Sequence, residues 1–446
     1  MCGKASQQKI DQYVGLPPLR LRLSLRHGGR RCGLLVRRFA AAGCASDISG
    51  WRHRRGSKTA TGCILLLPGL PQIIDRTHKN QISPMTFSAS ATIAPSLRLP
   101  AIASIANAAL QTRLQHKIDH KTKPLGALGR LESLALQLGL IQRSETVVLK
   151  QPQMVVFAAD HGVADEGVSA FPQAVTVQMV ANMLAGGAAI NVFAHQHGFN
   201  LQVVDAGVAA EIPPHPQLLQ RKVAFGTRNL CIEPAMTPEQ AISALHAGMQ
   251  IVRTLPGNVV AFGEMGIGNT SAAALLLARL AGVSLTDATG RGTGLSDEQL
   301  ARKQHVLTRA LARNPAAIAP LAALADLGGF EIAMMTGAML QAASERRVVL
   351  VDGFIAGSAA LVAHALMPLV KDYMVFCHRS DERGHDSLLT HLNAQPLLAL
   401  NLRLGEGSGA LLAWPLVQSA AAFLNEMASF ETAGISGKDA EDAKSS

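Results

Sequence analysis

Two glutamates stand alone among glycines, and their surroundings suit chemistry on a small ligand. Glu264 lies in the stretch 258–274, where an apolar run meets a glycine-rich turn and then a helix rich in alanine and leucine. Glu406 lies between Gly405 and Gly407, just before a second apolar helix. Burial among apolar neighbours raises the pKa of a carboxyl group, which suits a general base. We therefore expect Glu406 to accept a proton during a reaction.

The turn around Glu264 has the features of an anion-binding site. We assign Gly263, Gly266 and Gly268 to this turn, where small residues let a ligand approach the backbone closely. We expect Asn269 to Ser271 to cap the following helix, whose free N–H groups and dipole would face the ligand. A carboxylate repels phosphate, so Glu264 should serve another part of the substrate. An ordinary turn between a buried strand and a helix is the alternative.

Two familiar nucleotide motifs do not fit this turn. A P-loop requires GxxxxGK[ST], and no lysine follows these glycines. The dinucleotide fingerprint is GxGxxG, whereas the spacing here is GxxGxG. The sequence therefore disfavours an ATP-dependent kinase.

A second glycine loop is a candidate phosphate site. Gly290, Gly292 and Gly294 alternate with Arg291 and Thr293, and such a flexible loop can form a nest of backbone N–H groups around an anion. We predict a phosphate cradle here.

The helix after this loop offers a cation to the same site. Ser296 should cap it with Gln299 three positions later, as in a capping box. Arg302 and Lys303 follow, and we expect one of them to be solvated and the other to contact phosphate. Asp352 is a further candidate ligand because it follows another predicted strand.

The stretch 153–193 carries a third group of candidates. Its buried strand ends in Asp160 and His161, at the position where α/β proteins place ligands. A catalytic dyad and a metal site are both conceivable, but no third ligand follows at suitable spacing, so we expect no metal. Ser169, Phe171 and Gln178 are candidates for the lining of an aromatic slot, although such apolar stripes are more often core.

Strands alternate with helices along most of the chain. This order predicts an α/β fold with a largely parallel, Rossmann-like sheet flanked by helices. Charged residues make up 16% and aromatic residues only 4% of the 446 residues, a composition poor in the stacking side chains of single-strand nucleic-acid binders. The apolar stretch Val348 to Val370 is interrupted by Asp352 and His364, so we interpret it as a buried strand and helix rather than a membrane span.

The charge of +10 is concentrated at one end. Residues 1–84 contain fifteen Lys or Arg and three Asp or Glu, whereas the remainder contains 26 basic and 28 acidic residues and offers no basic face for nucleic acid. We expect 1–84 to be a basic extension outside the folded domain, disordered or absent from a product that starts at Met85; an organelle transit peptide is the alternative. A catalytic domain over 85–430 and a disordered tail over 431–446 complete the predicted organisation.

Eight segments in order resemble the nicotinate-nucleotide:dimethylbenzimidazole phosphoribosyltransferases of cobalamin nucleotide-loop assembly. The resemblance covers residues from about 93 to 430. Each segment alone is a weak signal, but eight in the same order are highly specific. They are KTKPLGALGRLE, FAADHGVADEGVSAFPQAVT, GEMGIGNTSAA, GRGTGL, GGFEIAMMTGA, VDGFIA, HRSDERGH and LRLGEGSGA.

The resemblance implies transfer of a phosphoribosyl group from nicotinate mononucleotide to a benzimidazole nitrogen, with inversion at the anomeric carbon. Glu406 then matches the general base, Glu264 a carboxylate of the substrate site and Lys303 a residue near the nucleotide. The 290–294 loop matches the phosphate cradle, and the 169–178 candidates lie where the benzimidazole slot is expected.

The resemblance also implies partners and a setting for the reaction. We expect a cytoplasmic homodimer with a smaller helical subdomain built from both ends of the folded region. A phosphomonoester donor with a cationic leaving group needs no metal, so we expect no cofactor. A nucleotide-binding regulatory protein without chemistry is the alternative function.

Overall fold

The computed structural model describes residues 96–292 and 294–435, and its centre is one sheet of six parallel strands. The predicted parallel α/β fold is therefore confirmed. The predictions for the extension 1–84, the start at Met85, the end of the tail (436–446) and Thr293 lie outside the described residues. The strands are β1 (Gln153–Ala159), β2 (Asn200–Gly207), β3 (Leu218–Gln220), β4 (Val259–Met265), β5 (Val348–Val351) and β6 (Met374–Phe376).

Thirteen α-helices accompany this sheet within the described residues. They are α1 (Ala108–Asp119), α2 (Arg130–Gln142), α3 (Val175–Leu184), α4 (Ala189–His197), α5 (Pro238–Thr254), α6 (Asn269–Ala281), α7 (Leu285–Ala288), α8 (Asp297–Arg313), α9 (Pro320–Leu327), α10 (Phe330–Ser344), α11 (Phe354–Leu366), α12 (Arg383–His391) and α13 (Ser408–Glu426).

The strand order is β3-β2-β1-β4-β5-β6, so the chain builds one half of the sheet outwards from β1 and the other half outwards from β4. The direction of winding reverses between these two central strands. In open parallel sheets, ligands bind outside the carboxyl ends of the strands at such a reversal. The topology therefore points to the loops after β1 and β4.

The core is built from continuous apolar strands and closely packed helices. All seven residues of β1 and all four of β5 are buried, as expected for a parallel sheet covered on both faces. Helices α5 and α10 approach closely because Gly248 faces the backbone of Met334, and Gly337 faces the backbone of Leu245. A Cβ atom at either glycine would overlap that backbone.

A helical part from both ends of the folded region is also present, as predicted. Leu134 and Leu138 of α2 are fully buried where α2 packs against α1 and α13. An isolated antiparallel bridge between Lys121 and Ser429 joins the two ends.

Three local expectations are wrong. Strand β4 continues through Gly263 and Glu264 to Met265, so the strand, and not the turn, holds the acid. Helix α6 begins at Asn269 with Gly268 as its N-cap, and no side chain caps it. The sequence also favours a helix from about Ser96 to Lys117, whereas the helix begins only at Ala108, where Asn107 caps it.

Among the described residues, one stretch, Val175–His197, is apolar and long enough by composition to cross a membrane. It consists of two short helices, α3 and α4, separated by a turn at 185–188, whereas a span requires about 20 consecutive helical residues. The interpretation of 348–370 as a buried strand followed by a helix is confirmed.

Candidate active site

A narrow cleft lies at the carboxyl end of β4, beside the reversal of the sheet. Its volume is about 90 Å³, and its lining includes five of the candidate residues: Glu264, Gly266, Asn269, Gly292 and Asp352. These residues come from the ends of β4 and β5, the start of α6 and the glycine loop before α8. The structure thus brings together side chains that are far apart in the sequence.

Glu264 is a buried acid with neutral hydrogen-bond partners. The side-chain amide of Asn269, the first residue of α6, donates to Glu264 Oε2. Burial raises the pKa of Glu264 to about 8, and the negative charges of Asp352 and Glu331 add to the shift. The carboxyl group therefore holds its proton at neutral pH.

Glu406 lies in a loop that packs directly on β4. Gly405, Glu406 and Gly407 all have positive φ (82°, 63° and 93°), a conformation that favours glycine. The glycines are also required by space, because a Cβ atom at Gly405 would overlap the carboxylate of Glu264. A Cβ atom at Gly263 would overlap the carbonyl oxygen of Glu406.

The side chain of Glu406 is 4% exposed. Its Oε2 accepts a hydrogen bond of 3.2 Å from the backbone N–H of Ile190, in the first turn of α4. Burial raises the pKa of Glu406, and the charge of Asp352 acts in the same direction, whereas the Ile190 N–H lowers it. The arrangement is that of a desolvated base held by a single neutral donor.

Asp352 anchors the helix that follows this loop. Its Oδ1 accepts a hydrogen bond of 3.0 Å from the backbone N–H of Ala410, in the first turn of α13, and lies 3.4 Å from His378 Nε2. The first turn of a helix attracts a carboxylate because its N–H groups are unpaired. Asp352 therefore fixes the segment that carries Glu406.

Lys303 lies behind the glycine loop. Its side chain is 1% exposed, and Nζ donates to the Thr270 hydroxyl at 2.8 Å. Burial lowers the pKa of Lys303 to about 8, although the charge of Glu382 opposes this. Arg302 is exposed, so the solvated member of the pair is Arg302.

The glycine loop separates the cleft from a wider cavity of about 750 Å³. Gly290, Arg291, Gly292 and Gly294 all line the wider cavity. The guanidinium of Arg291 pairs with Asp297 and is half exposed. Gly292 and Gly294 have positive φ (54° and 116°), as a nest of backbone N–H groups requires.

Comparisons with known proteins identify the family. The family model described as Phosphoribosyltransferase matches residues 103–435. The chain belongs to this family. It is 63% identical over 331 residues to the nicotinate-nucleotide--dimethylbenzimidazole phosphoribosyltransferase of Cupriavidus necator, covering 74% of this chain and 96% of that relative. The nicotinate-nucleotide--dimethylbenzimidazole phosphoribosyltransferase of Variovorax paradoxus is 59% identical, and the alignment covers 76% of this chain and 98% of that relative.

A solved structure gives the same result for the fold. The crystal structure of CobT from Thermus thermophilus superposes with a TM-score of 0.72 at 45% identity, covering 74% of this chain and 99% of that one. The parallel sheet and the helices around it are therefore those of the phosphoribosyltransferase family.

Six of the described candidates line neither the cleft nor the wider cavity: Gly268, Lys303, Glu406, Ser169, Phe171 and Gln178. Ser169 is half-buried, Phe171 is 50% exposed and Gln178 is exposed, and none of them lines the cleft. Their segment is held by Thr176, whose hydroxyl accepts a hydrogen bond of 3.1 Å from the Ile267 N–H. An aromatic slot lined by these three side chains stays a prediction.

Asp160 and His161, at the end of β1, do not pair with each other as a catalytic dyad would; each has another partner. His161 Nε2 lies 2.6 Å from Glu331 Oε1, with both side chains fully buried, while Asp160 accepts the Ala209 N–H at 2.8 Å. Burial lowers the pKa of His161, but Glu331 outweighs burial and the pKa is raised. Among the described residues, no group of three or more potential ligands is arranged to hold a metal ion.

The segment 377–389 is dense in polar residues, which favours a solvated loop, but the structure buries most of these residues. His378, Ser380, Glu382 and His385 are all at least nine-tenths buried, whereas Asp381 is exposed. Ser380 donates its backbone N–H to His385 Nδ1 at 2.9 Å, so His385 accepts at that nitrogen. Burial lowers the pKa of His385 to about 4. The signal available in the sequence was the position of this segment, directly after the strand β6.

Proposed function

We propose that this chain transfers the 5-phosphoribosyl group of nicotinate mononucleotide to 5,6-dimethylbenzimidazole. The products are α-ribazole 5′-phosphate and nicotinate. The family membership and the names of the relatives support the reaction. The observation in this chain that carries the mechanism is the buried carboxylate of Glu406, in a loop whose backbone packs on β4 beside Glu264.

In this mechanism one benzimidazole nitrogen attacks the anomeric carbon as Glu406 removes the proton from the other nitrogen. The new C–N bond forms while the glycosidic bond to nicotinate breaks, and the leaving pyridinium takes the electron pair and becomes neutral. A carboxylate with a raised pKa is a stronger base, and positioned proton transfer contributes on the order of 10²- to 10⁴-fold to rate. Because the leaving group is already cationic, one base is sufficient.

The remaining candidates bind and orient the donor. The 290–294 loop holds the phosphate through its backbone, with the charge of Lys303 behind it and Arg291 at the outer edge. Gly266, Gly268 and Asn269 keep the start of α6 close to the reacting group. Glu264, protonated at neutral pH, donates a hydrogen bond to a substrate acceptor without repelling the phosphate.

A chromatographic assay with both substrates tests this proposal. We expect nicotinate and α-ribazole 5′-phosphate in equal amounts, formed only when the benzimidazole is present. Binding of the mononucleotide without any benzimidazole-dependent product would instead support the regulatory alternative.

We also propose that the catalytic part spans residues 85–430 and acts as a cytoplasmic homodimer. Size-exclusion chromatography with light scattering tests the assembly, since a dimer has twice the 46.9 kDa mass of the chain. The chain mass itself in solution would contradict it.

A further inference from the structure

The cleft and the wider cavity meet at a passage formed by four residues that line both of them: Gly292, Ser380, Glu382 and Arg403. A cleft of about 90 Å³ is well below the roughly 300 Å³ of ordinary ligand pockets, so a donor seated in it must extend through this passage. Residues at the passage therefore contact the middle of the donor.

Glu382 is the buried charged side chain at this passage. It is 7% exposed, and its Oε2 has no hydrogen-bond partner among the described residues. Gly290 passes so close to the carboxylate that a Cβ atom there would overlap Oε2. Oε2 thus faces the glycine loop, while Glu382 also lines both cavities, so its carboxylate can accept a hydrogen bond from a ligand in the passage.

The charges around the passage indicate which part of the donor contacts the Glu382 carboxylate. A carboxylate repels phosphate. The wider cavity beyond the passage is lined by four arginines, Arg291, Arg379, Arg383 and Arg403, against three acids, Asp381, Glu382 and Asp386, so positive charge is in excess there. The phosphate therefore belongs on the arginine side, and the pyridinium ring on the side of Glu264. The part between ring and phosphate in a mononucleotide is the ribose, whose hydroxyl groups are hydrogen-bond donors.

We infer that Glu382 binds the ribose of the donor by accepting hydrogen bonds from its 2′- and 3′-hydroxyl groups. The inference rests on the proposed function and adds a residue that selects ribonucleotide over deoxyribonucleotide donors. Glu382 also faces Lys303 across the glycine loop. The competing explanation is that Glu382 only positions Lys303 and the glycine loop and does not contact the donor.

A substrate and variant cycle separates the two explanations. The probes are nicotinate mononucleotide and its 2′-deoxy and 3′-deoxy analogues, and the proteins are the full chain and its Glu382→Gln variant. Direct hydroxyl recognition predicts that the wild type prefers the ribonucleotide to at least one analogue, and that this preference in kcat/KM falls by about 10- to 100-fold in the variant. The intrinsic reactivity of each analogue cancels in the ratio.

Equal losses for all three donors in Glu382→Gln would overturn the inference, since positioning through Lys303 does not depend on the sugar hydroxyls. A wild type that does not distinguish the three donors would overturn it as well. Glu298→Gln, on the exposed first turn of α8, is the matched control and should retain the wild-type preference. If Glu382→Gln does not fold, as judged by its Tm, the same cycle is run with Glu382→Asp, which shortens the carboxylate and should reduce the preference.

The proposed function has a separate readout in the same experiment. A wild type that forms no α-ribazole 5′-phosphate from the ribonucleotide refutes the proposed function itself, whereas a fully active wild type with an unchanged donor preference in Glu382→Gln refutes only the ribose assignment.

Discussion

Glu264, Glu331, Asp352 and Glu406 are four of the buried carboxylates at the carboxyl edge of the sheet, and their partners distinguish their roles. Glu331 pairs with a histidine, Asp352 holds the first turn of α13, and Glu264 accepts from an amide. Glu406 accepts only a backbone N–H and has no cationic partner among the described residues. Glu264 holds its proton at neutral pH, and Glu331 and Asp352 are engaged by a histidine and a helix, so Glu406 is the carboxylate among these four that is left to take a proton.

The pKa of Glu264 predicts how stability depends on pH. Its pKa is raised from 4.5 to about 8, so between these values the unfolded chain has lost a proton that the folded chain keeps. Stability therefore falls as pH rises through this window, by at most about 1.4 kcal/mol per pH unit from this group. Denaturant unfolding at pH 5.5, 6.5 and 7.5 should show that Glu264→Gln removes part of this slope. Identical slopes in variant and wild type would contradict the protonated state of Glu264.

At the scale of elements, the loop 405–407 and strand β4 act as one unit. Gly405→Ala places a methyl group against the Glu264 carboxylate at a φ of 82°, so the loop must move. Because misplacement by about 1 Å costs on the order of 100-fold in rate, kcat/KM should fall by that order.

Gly282→Ala is the control for backbone strain, since Gly282 has a φ of 67° with nothing within 4 Å of the added atom. Both variants should lose stability, by about 1–2 kcal/mol for the positive φ, but only Gly405→Ala should lose activity. Equal activities in the two variants would show that the position of the loop 405–407 does not control the reaction rate.

The elements that the sequence predicts well are those with local signals. Buried parallel strands are continuous apolar runs, and Thr237 followed by Pro238 is a local signal for the start of a helix, which the N-cap of α5 confirms. The sequence does not predict the extension of β4 through Gly263, because glycine inside an apolar run usually indicates a turn or a bulge. In this strand, glycine instead admits the Glu406 loop.

Contacts between segments that are distant in the chain cannot be predicted from this sequence alone. His161 and Glu331 are 170 positions apart, and nothing local to either residue indicates their contact. The polar composition of 377–389 favours a solvated loop, but the start of α11 and the loop before α8 enclose part of it, since His378 and Glu382 face Gly353 and Gly290. Glu264 and Glu406 were recognised as candidates from their glycine neighbours, while their contact required the fold.

At the scale of the whole molecule, the family match and the continuous core fall in the same region. The match covers 103–435, and the core extends from Ile102 to Leu424. A chain that starts at Met85 should therefore keep the kcat/KM and the Tm of the full chain. Comparison of the two proteins by enzyme assay and thermal unfolding checks this, and a loss of either property in the shorter chain would place part of the working domain before Met85.

The carboxylate of Glu406 is tested most directly by Glu406→Gln, in which the amide oxygen can still accept the Ile190 N–H. The measurement is nicotinate release from nicotinate mononucleotide with 5,6-dimethylbenzimidazole. We predict a fall of about 10²- to 10⁴-fold in kcat with an unchanged Tm. Release at the wild-type rate in a folded Glu406→Gln protein would contradict a proton-accepting role for this residue.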